Sequence, residues 1–186
     1  MRLFIAVEVP EPWRDAARAQ REALERVVRA PLRWVDPALL HLTLRFLGEV
    51  AEAEVAGLQA ALTEHVPPVD VALHLEAPGT FGGPTRGAIV WLGVGGDRDA
   101  LDALVGRVET AVHAAGLPAE GRAYRAHLTL ARVGRQASRI EHRAVASAVE
   151  RVSAPPPSPF RARSVALVRS HLGGAAPRYE VLSRHG

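Results

Sequence analysis

Cysteine and lysine are both missing from the 186 residues of this chain. Without cysteine there is no disulfide framework, no thiolate zinc site and no cysteine nucleophile, a composition that fits a reducing cytoplasm. Without lysine, all 23 basic residues are arginine. That excludes a lysine-adenylate ligase, a Schiff-base enzyme and a Walker-type phosphate loop, each of which needs the absent amine. Abundant Ala, Gly, Pro and Arg point to GC-rich codon usage as the origin of the arginine choice, and the exclusion holds whatever its origin. Long apolar runs are missing too: none approaches the roughly 20 residues of a membrane span, and the opening Met1 to Glu8 meets a charge too early for a secretory signal. The expectation is a soluble cytoplasmic protein. With 48% hydrophobic residues the chain is long enough for a substantial core and short enough for one domain with two lobes. A formal charge of +3 and a pI near 10.4, carried by arginines suited to bidentate phosphate contact, permit a nucleic-acid substrate.

Hydrophobic periodicity and Gly/Pro punctuation predict alternating strands and helices. Strands are expected over 2–9, 34–35, 40–47, 69–77, 87–94, 124–133, 161–169 and 178–182, and helices over 13–29, 52–65, 98–115 and 139–152. A Gly/Pro-rich loop is expected over 78–85, and a loop at Gly173-Gly174 joins the last two strands. Short connections favour two packed sheet-and-helix lobes over one long parallel sheet.

The tripeptide His-Leu-Thr occurs twice, as His41-Leu42-Thr43 and His127-Leu128-Thr129, each continued by leucine and 86 residues apart. In a strand, residues two apart share a face, so each histidine lies beside a threonine on one side while the leucines point to the other. One such tripeptide is ordinarily a strand histidine bonded to a backbone carbonyl. Two copies in matched contexts at near half-chain spacing point to a duplicated half-site.

Two imidazoles facing across a groove can cleave a phosphodiester without a metal. One, neutral, takes the proton of an attacking water, and the other, protonated, donates to the departing oxygen. An unperturbed pKa of about 6.5 makes both roles accessible. Threonine hydroxyls can bond the non-bridging oxygens, and an arginine can neutralise their growing charge. Metal binding ranks lower, since neither tripeptide contains a carboxylate and no His-Glu-x-x-His occurs. His65, His74, His113, His142 and His185 read as structural or solvated, and His171 as a loop residue.

With both tripeptides placed, the chain resembles the two-histidine (2H) phosphoesterase superfamily, and within it the RNA 2′,3′-cyclic phosphodiesterases of bacteria and archaea, also called 2′-5′ RNA ligase-like proteins. The resemblance runs through Arg2-Leu-Phe-Ile-Ala-Val, Arg33-Trp34-Val35, Leu40 to Glu49, the Phe81 region with Arg86, Val90-Trp91-Leu-Gly-Val, His127 to Arg132, and the closing Val165 to Ser170 with Tyr179 to Leu182. It implies a bilobal α+β fold over residues 1–186 as a single domain of two interleaved lobes. Two pseudo-symmetric, antiparallel-rich sheets with outer helices would flank a central cleft. It implies hydrolysis of RNA 2′,3′-cyclic phosphate ends to 2′-phosphates, weak ATP-independent 2′-5′ ligation in reverse, and no cofactor.

On that resemblance His127 is the base and His41 the acid, with Thr43, Thr129 and Arg132 holding phosphate. Strict alternation turns Arg132 away from His127, so a bulge is required. Phe81, Tyr124 and Arg45 are candidates for base or RNA contact. Ala126 stands where the family commonly has proline. The expected partners are RNA ends or nucleotides bearing a 2′,3′-cyclic phosphate, with the protein a monomer. Two other classes stay open: a non-catalytic RNA-binding module, and a two-histidine phosphodiesterase for small cyclic nucleotides or 2′-5′ oligonucleotides. A metallohydrolase using some of the eight histidines is a further alternative, marked by tightly held zinc.

Overall fold

The computed structural model describes residues 1–83, 87–134, 136–173 and 177–186. In chain order the elements are β1 (Arg2–Glu8), α1 (Glu11–Val27), β2 (Leu32–Trp34), a 3₁₀ turn (Pro37–Leu39), β3 (His41–Glu49), α2 (Glu52–His65), β4 (Val71–Gly83), β5 (Gly87–Gly96), α3 (Arg98–Ala114), β6 (His127–Val133), α4 (Arg139–Val149), β7 (Phe160–Ala162), β8 (Val165–His171) and β9 (Arg178–His185). The strands form a four-stranded sheet, β3-β1-β8-β9, and a five-stranded sheet, β2-β6-β5-β4-β7. Every pairing is antiparallel. The first sheet draws on both ends of the chain and the second on its middle, so the sheets are interleaved in sequence while each carries one His-Leu-Thr strand.

Local chemistry sets the helix ends. Asp97 accepts a hydrogen bond from the Ala100 amide at the start of α3, and Ser138 with Glu141 forms a reciprocal capping box at α4. In α1, Pro12 occupies the first turn, where its missing N–H costs nothing, and Trp13, Ala17, Gln20 and Leu24 form the buried stripe. Trp13 is fully buried, donates its indole N–H to the Ser158 carbonyl at 2.7 Å and meets Phe160 edge-on. A large side chain buried this way contributes about 3 kcal/mol. Helix α2 packs on α3, α4 lies on β4, and one continuous apolar core runs beneath both sheets.

Three segments differ from the pattern read in the sequence. Residues 78–83 are strand, not loop, because β4 continues to Gly83, with Phe81 paired to Ile89; residues 84–86, including Arg86, lie outside the described residues. A bulge between Leu75 and Pro78 lets the proline sit in the ladder despite its missing N–H. The single strand expected over 161–169 is two. β7 closes the edge of the five-stranded sheet against β4, while β8 crosses to the other sheet and pairs with β1. The sixth strand begins only at His127, so Tyr124 precedes it. The second residue of the Gly173-Gly174 loop lies outside the described residues.

Candidate active site

Each histidine opens its strand in the same way. The Nδ1 of His41 lies 2.8 Å from the Leu39 carbonyl oxygen, and the Nδ1 of His127 lies 2.7 Å from the Arg125 carbonyl oxygen. A carbonyl only accepts, so both Nδ1 atoms carry hydrogen and donate, which leaves both Nε2 atoms to exchange protons. Alanine at position 126 does not disturb this arrangement. The leucines of both motifs are buried and the threonines are half-exposed on the histidine face, as period-two alternation requires.

Aromatic rings brace each imidazole. His41 stacks on Phe4 at 4.5 Å and meets Tyr179 edge-on at 5.4 Å. His127 meets Phe81 edge-on at 4.9 Å, and Phe81 in turn leans on Trp91 at 4.8 Å. Burial pushes both imidazole pKa values below the ordinary 6.5, against the opposing effect of their carbonyl partners. A charge on His127 lowers His41 further; at His127 the added contributions come from Arg125 and Arg132.

A cleft of about 780 Å³ runs between the sheets, lined among others by His41, Thr43, Thr129, Arg132, Phe46 and Tyr179. His127 shares the strand face of Thr129. Strict alternation fails at an equivalent point in both strands, and β3 has a second bulge at Leu47. In β3, Ile5 pairs with Arg45 and Ala6 with Thr43, so Leu44 is an extra residue; in β6, Val90 pairs with Ala131 and Trp91 with Thr129, so Leu130 is extra. Each of these equivalent bulges falls three residues after the histidine and flips the two side chains that follow it to the other face. Arg132 is thereby exposed in the cleft, with the bulge its position demanded.

The same inversion overturns the expectation for Arg45. It is only 7% exposed and turns to the helix side, where its guanidinium meets Glu109 on α3 at 2.8 Å and Glu120 at 3.2 Å and donates to the Pro118 carbonyl. A buried cation goes where carboxylates compensate it. Tyr124 is also outside the cleft. It packs on the core near Arg98 and Asp102, its hydroxyl is buried, and burial raises its pKa far above the ordinary 10.0. Phe81 keeps contact with the site through His127, and Arg125 lies over its ring at 4.9 Å. His171 bonds Glu180 through Nε2 at 2.7 Å.

Several cleft residues were not identified from sequence. Phe46 is 42% exposed, with the Arg2 guanidinium over its ring at 4.7 Å. Arg33 and Trp34 line the cleft from β2. Alternation assigns Phe46 to the leucine face, and only the bulge brings it out. For the β2 pair no periodic signal exists in three residues. Among the described residues no group of three or more His, Asp or Glu side chains gathers closely enough to hold a metal ion, and no helix is long and apolar enough to cross a membrane.

The geometry agrees with comparisons to known proteins. Residues 9–174 match the 2′-5′ RNA ligase superfamily. The chain is 31% identical over 182 residues to the RNA 2′,3′-cyclic phosphodiesterase of Archaeoglobus fulgidus, covering 98% of each protein. Among solved structures, TT0787 of Thermus thermophilus superposes with a TM-score of 0.75 at 28% identity, covering 99% of this chain and 96% of that one. LigT of E. coli complexed with 3′-AMP shares the fold, with a TM-score of 0.77 at 23% identity and coverage of 98% and 95%. On the family match and the full-length identity together, the chain belongs to the 2′-5′ RNA ligase superfamily.

Proposed function

We propose that the protein opens 2′,3′-cyclic phosphates at RNA ends to 2′-phosphates by metal-independent acid/base catalysis. The carrying observation is the pair of imidazoles from separate sheets, each with Nδ1 fixed to a backbone carbonyl and Nε2 left free, beside a cleft lined by Thr43, Thr129 and Arg132. The name of the Archaeoglobus relative supports the substrate class. The attacking water gives its proton to Nε2 of His127 as its oxygen bonds phosphorus. The bond from phosphorus to O3′ breaks, and Nε2 of His41 donates its proton to O3′, leaving a 2′-phosphate and a 3′-hydroxyl. Proton exchange with solvent restores both rings.

The distribution of fixed charge supports these roles. Burial first, and then Arg125 and Arg132, lower the pKa of His127 in the direction a base requires, whereas no arginine contributes at His41. Thr43, Thr129 and Arg132 neutralise the phosphoryl oxygens, and Phe81 flanks the site from the His127 side. Run in reverse, with the strained cyclic ester as donor and the imidazoles exchanging roles, the site joins ends through a 2′-5′ bond. All the parts lie in one chain, so residues 1–186 act as a single domain and a monomer, and the lack of cysteine suits the cytoplasm. The test is incubation of the protein and EDTA with RNA bearing a 2′,3′-cyclic phosphate. A 2′-phosphate product, lost in His41→Ala and in His127→Ala, is expected; salt-sensitive RNA binding without turnover would instead identify a binding module.

A further inference from the structure

Many arginines of this protein sit in ion pairs: Arg14, Arg18, Arg21, Arg45, Arg161 and Arg184 each meet a carboxylate within 3.2 Å. The cleft is different. Arg2, Arg33 and Arg132 line it, and among the described residues none of the three forms an ion pair. Among the described residues the one carboxylate lining the cleft, Asp36, accepts a hydrogen bond from the Ala38 amide at 2.9 Å. Arg2 covers one face of Phe46, which leaves Arg33 and Arg132 as a pair.

That pair is placed against its own electrostatics. Arg33 and Arg132 are directly opposite each other on the β2–β6 ladder, and both are exposed. Like charges directly opposite in an antiparallel pair repel and weaken it. The bulge at Leu130 is what turns Arg132 to this face, so the backbone is irregular at the step that brings the two guanidiniums together. Two planar forks on one polar wall, without a protein anion between them, match phosphate oxygens.

We infer that Arg33 and Arg132 form an anion subsite that receives the internucleotide phosphate preceding the cyclic end, so the preferred substrate is an RNA strand and not a cyclic mononucleotide. This rests on the phosphodiesterase reading and adds its substrate class. Arg132, on the His127 strand itself, is shared between the two phosphates, while Arg33, on the neighbouring edge strand β2, serves only the upstream one.

The experiment compares a cyclic mononucleotide with a dinucleotide ending in a 2′,3′-cyclic phosphate, on the full chain and on Arg33→Ala and Arg33→Lys. The wild type should show a KM about tenfold lower for the dinucleotide, as a charge-assisted contact supplies. Arg33→Ala should abolish that advantage, leave the mononucleotide's kcat and KM unchanged, and reduce the slope of log KM against log salt for the dinucleotide by about 0.7. Arg33→Lys should keep part of the advantage. Thermal unfolding of Arg33→Ala should be unchanged or raised, since a like-charge neighbour is removed; a lowered Tm would assign Arg33 a structural role. Equal KM values for both substrates in the wild type, or an equal rise for both in Arg33→Ala, would overturn the subsite while leaving the reaction intact. No turnover of either substrate by the wild type would overturn the phosphodiesterase reading and the subsite with it.

Discussion

The half-sites at His41 and His127 are the same for four residues and then diverge. Both imidazoles are anchored through Nδ1 to the carbonyl two residues back, both are braced by aromatic rings, and both strands bulge at the leucine that follows the threonine. After the bulge one strand reads Arg45-Phe46 and the other Ala131-Arg132. The inward position is a paired arginine in one lobe and a buried alanine in the other. The outward position is an exposed aromatic in one lobe and a free arginine in the other. A symmetric scaffold therefore presents two imidazoles held alike through Nδ1, and the residues beyond the bulge make the two walls differ, with an exposed aromatic on one and an arginine on the other; in the proposed reaction these give the cleft its direction.

The strongest way to break that comparison is to remove one imidazole at a time. His41→Ala and His127→Ala should each lower kcat on a cyclic-phosphate RNA by about 100- to 10,000-fold. A phosphodiester whose leaving group is 4-nitrophenolate separates the roles, because that group departs without a proton. It should restore turnover to His41→Ala and not to His127→Ala; the reverse pattern would exchange acid and base.

Next in size is the outward pair. Arg132→Ala removes charge stabilisation from the transition state and should cost about 100- to 1000-fold in kcat. The equivalent change in the other lobe, Phe46→Ala, should act on KM instead, by about tenfold, as loss of one base-stacking surface does. Equal kcat losses at both positions would mean that the walls do not differ in function. The inward pair should report on folding alone. Arg45→Ala leaves Glu109 and Glu120 without their buried partner and should lower stability by about 3 kcal/mol in denaturant unfolding, with kcat of the folded fraction retained.

The smallest effect is on pH. Burial depresses both imidazoles below 6.5 in the free protein. The acid must be protonated and the base neutral, so the bell for kcat/KM should centre below about 6.5 and fall as pH rises past it. Folding stability has the opposite dependence on the alkaline side. These rings stay neutral when buried, so their contribution is full above the unfolded-state value of about 6.5 and is lost as pH falls through the lower folded values. A pH titration of kcat/KM centred above 7 would contradict the burial of both rings.

Much of this site was legible before folding. Repetition of His-Leu-Thr with leucines at period two marked two strands that the fold builds alike, and the distance from Thr129 to Arg132 required a bulge that is present. Tyr124 and Arg45 were misread, and Phe46 missed, for physical reasons. Tyr124 precedes the strand and takes its surroundings from α3, an element far away in sequence. Arg45 and Phe46 follow an inserted residue that reverses the alternation on which any face assignment depends. In the fold, residues 161–169 read as one apolar strand, yet their pairing is divided between β4 and β1.

By itself the sequence determined most of the elements, the α+β class and the pair of matched histidine strands, because these follow from periodicity, end-capping and residue chemistry, all local properties. Only the tertiary structure decided which residues beyond each bulge enter the cleft, which arginine meets carboxylates and which faces another arginine. The physical reason is that strand register is fixed by the partner strand. A single extra residue in a ladder costs little locally and leaves no mark in composition, yet it turns every later side chain to the opposite face.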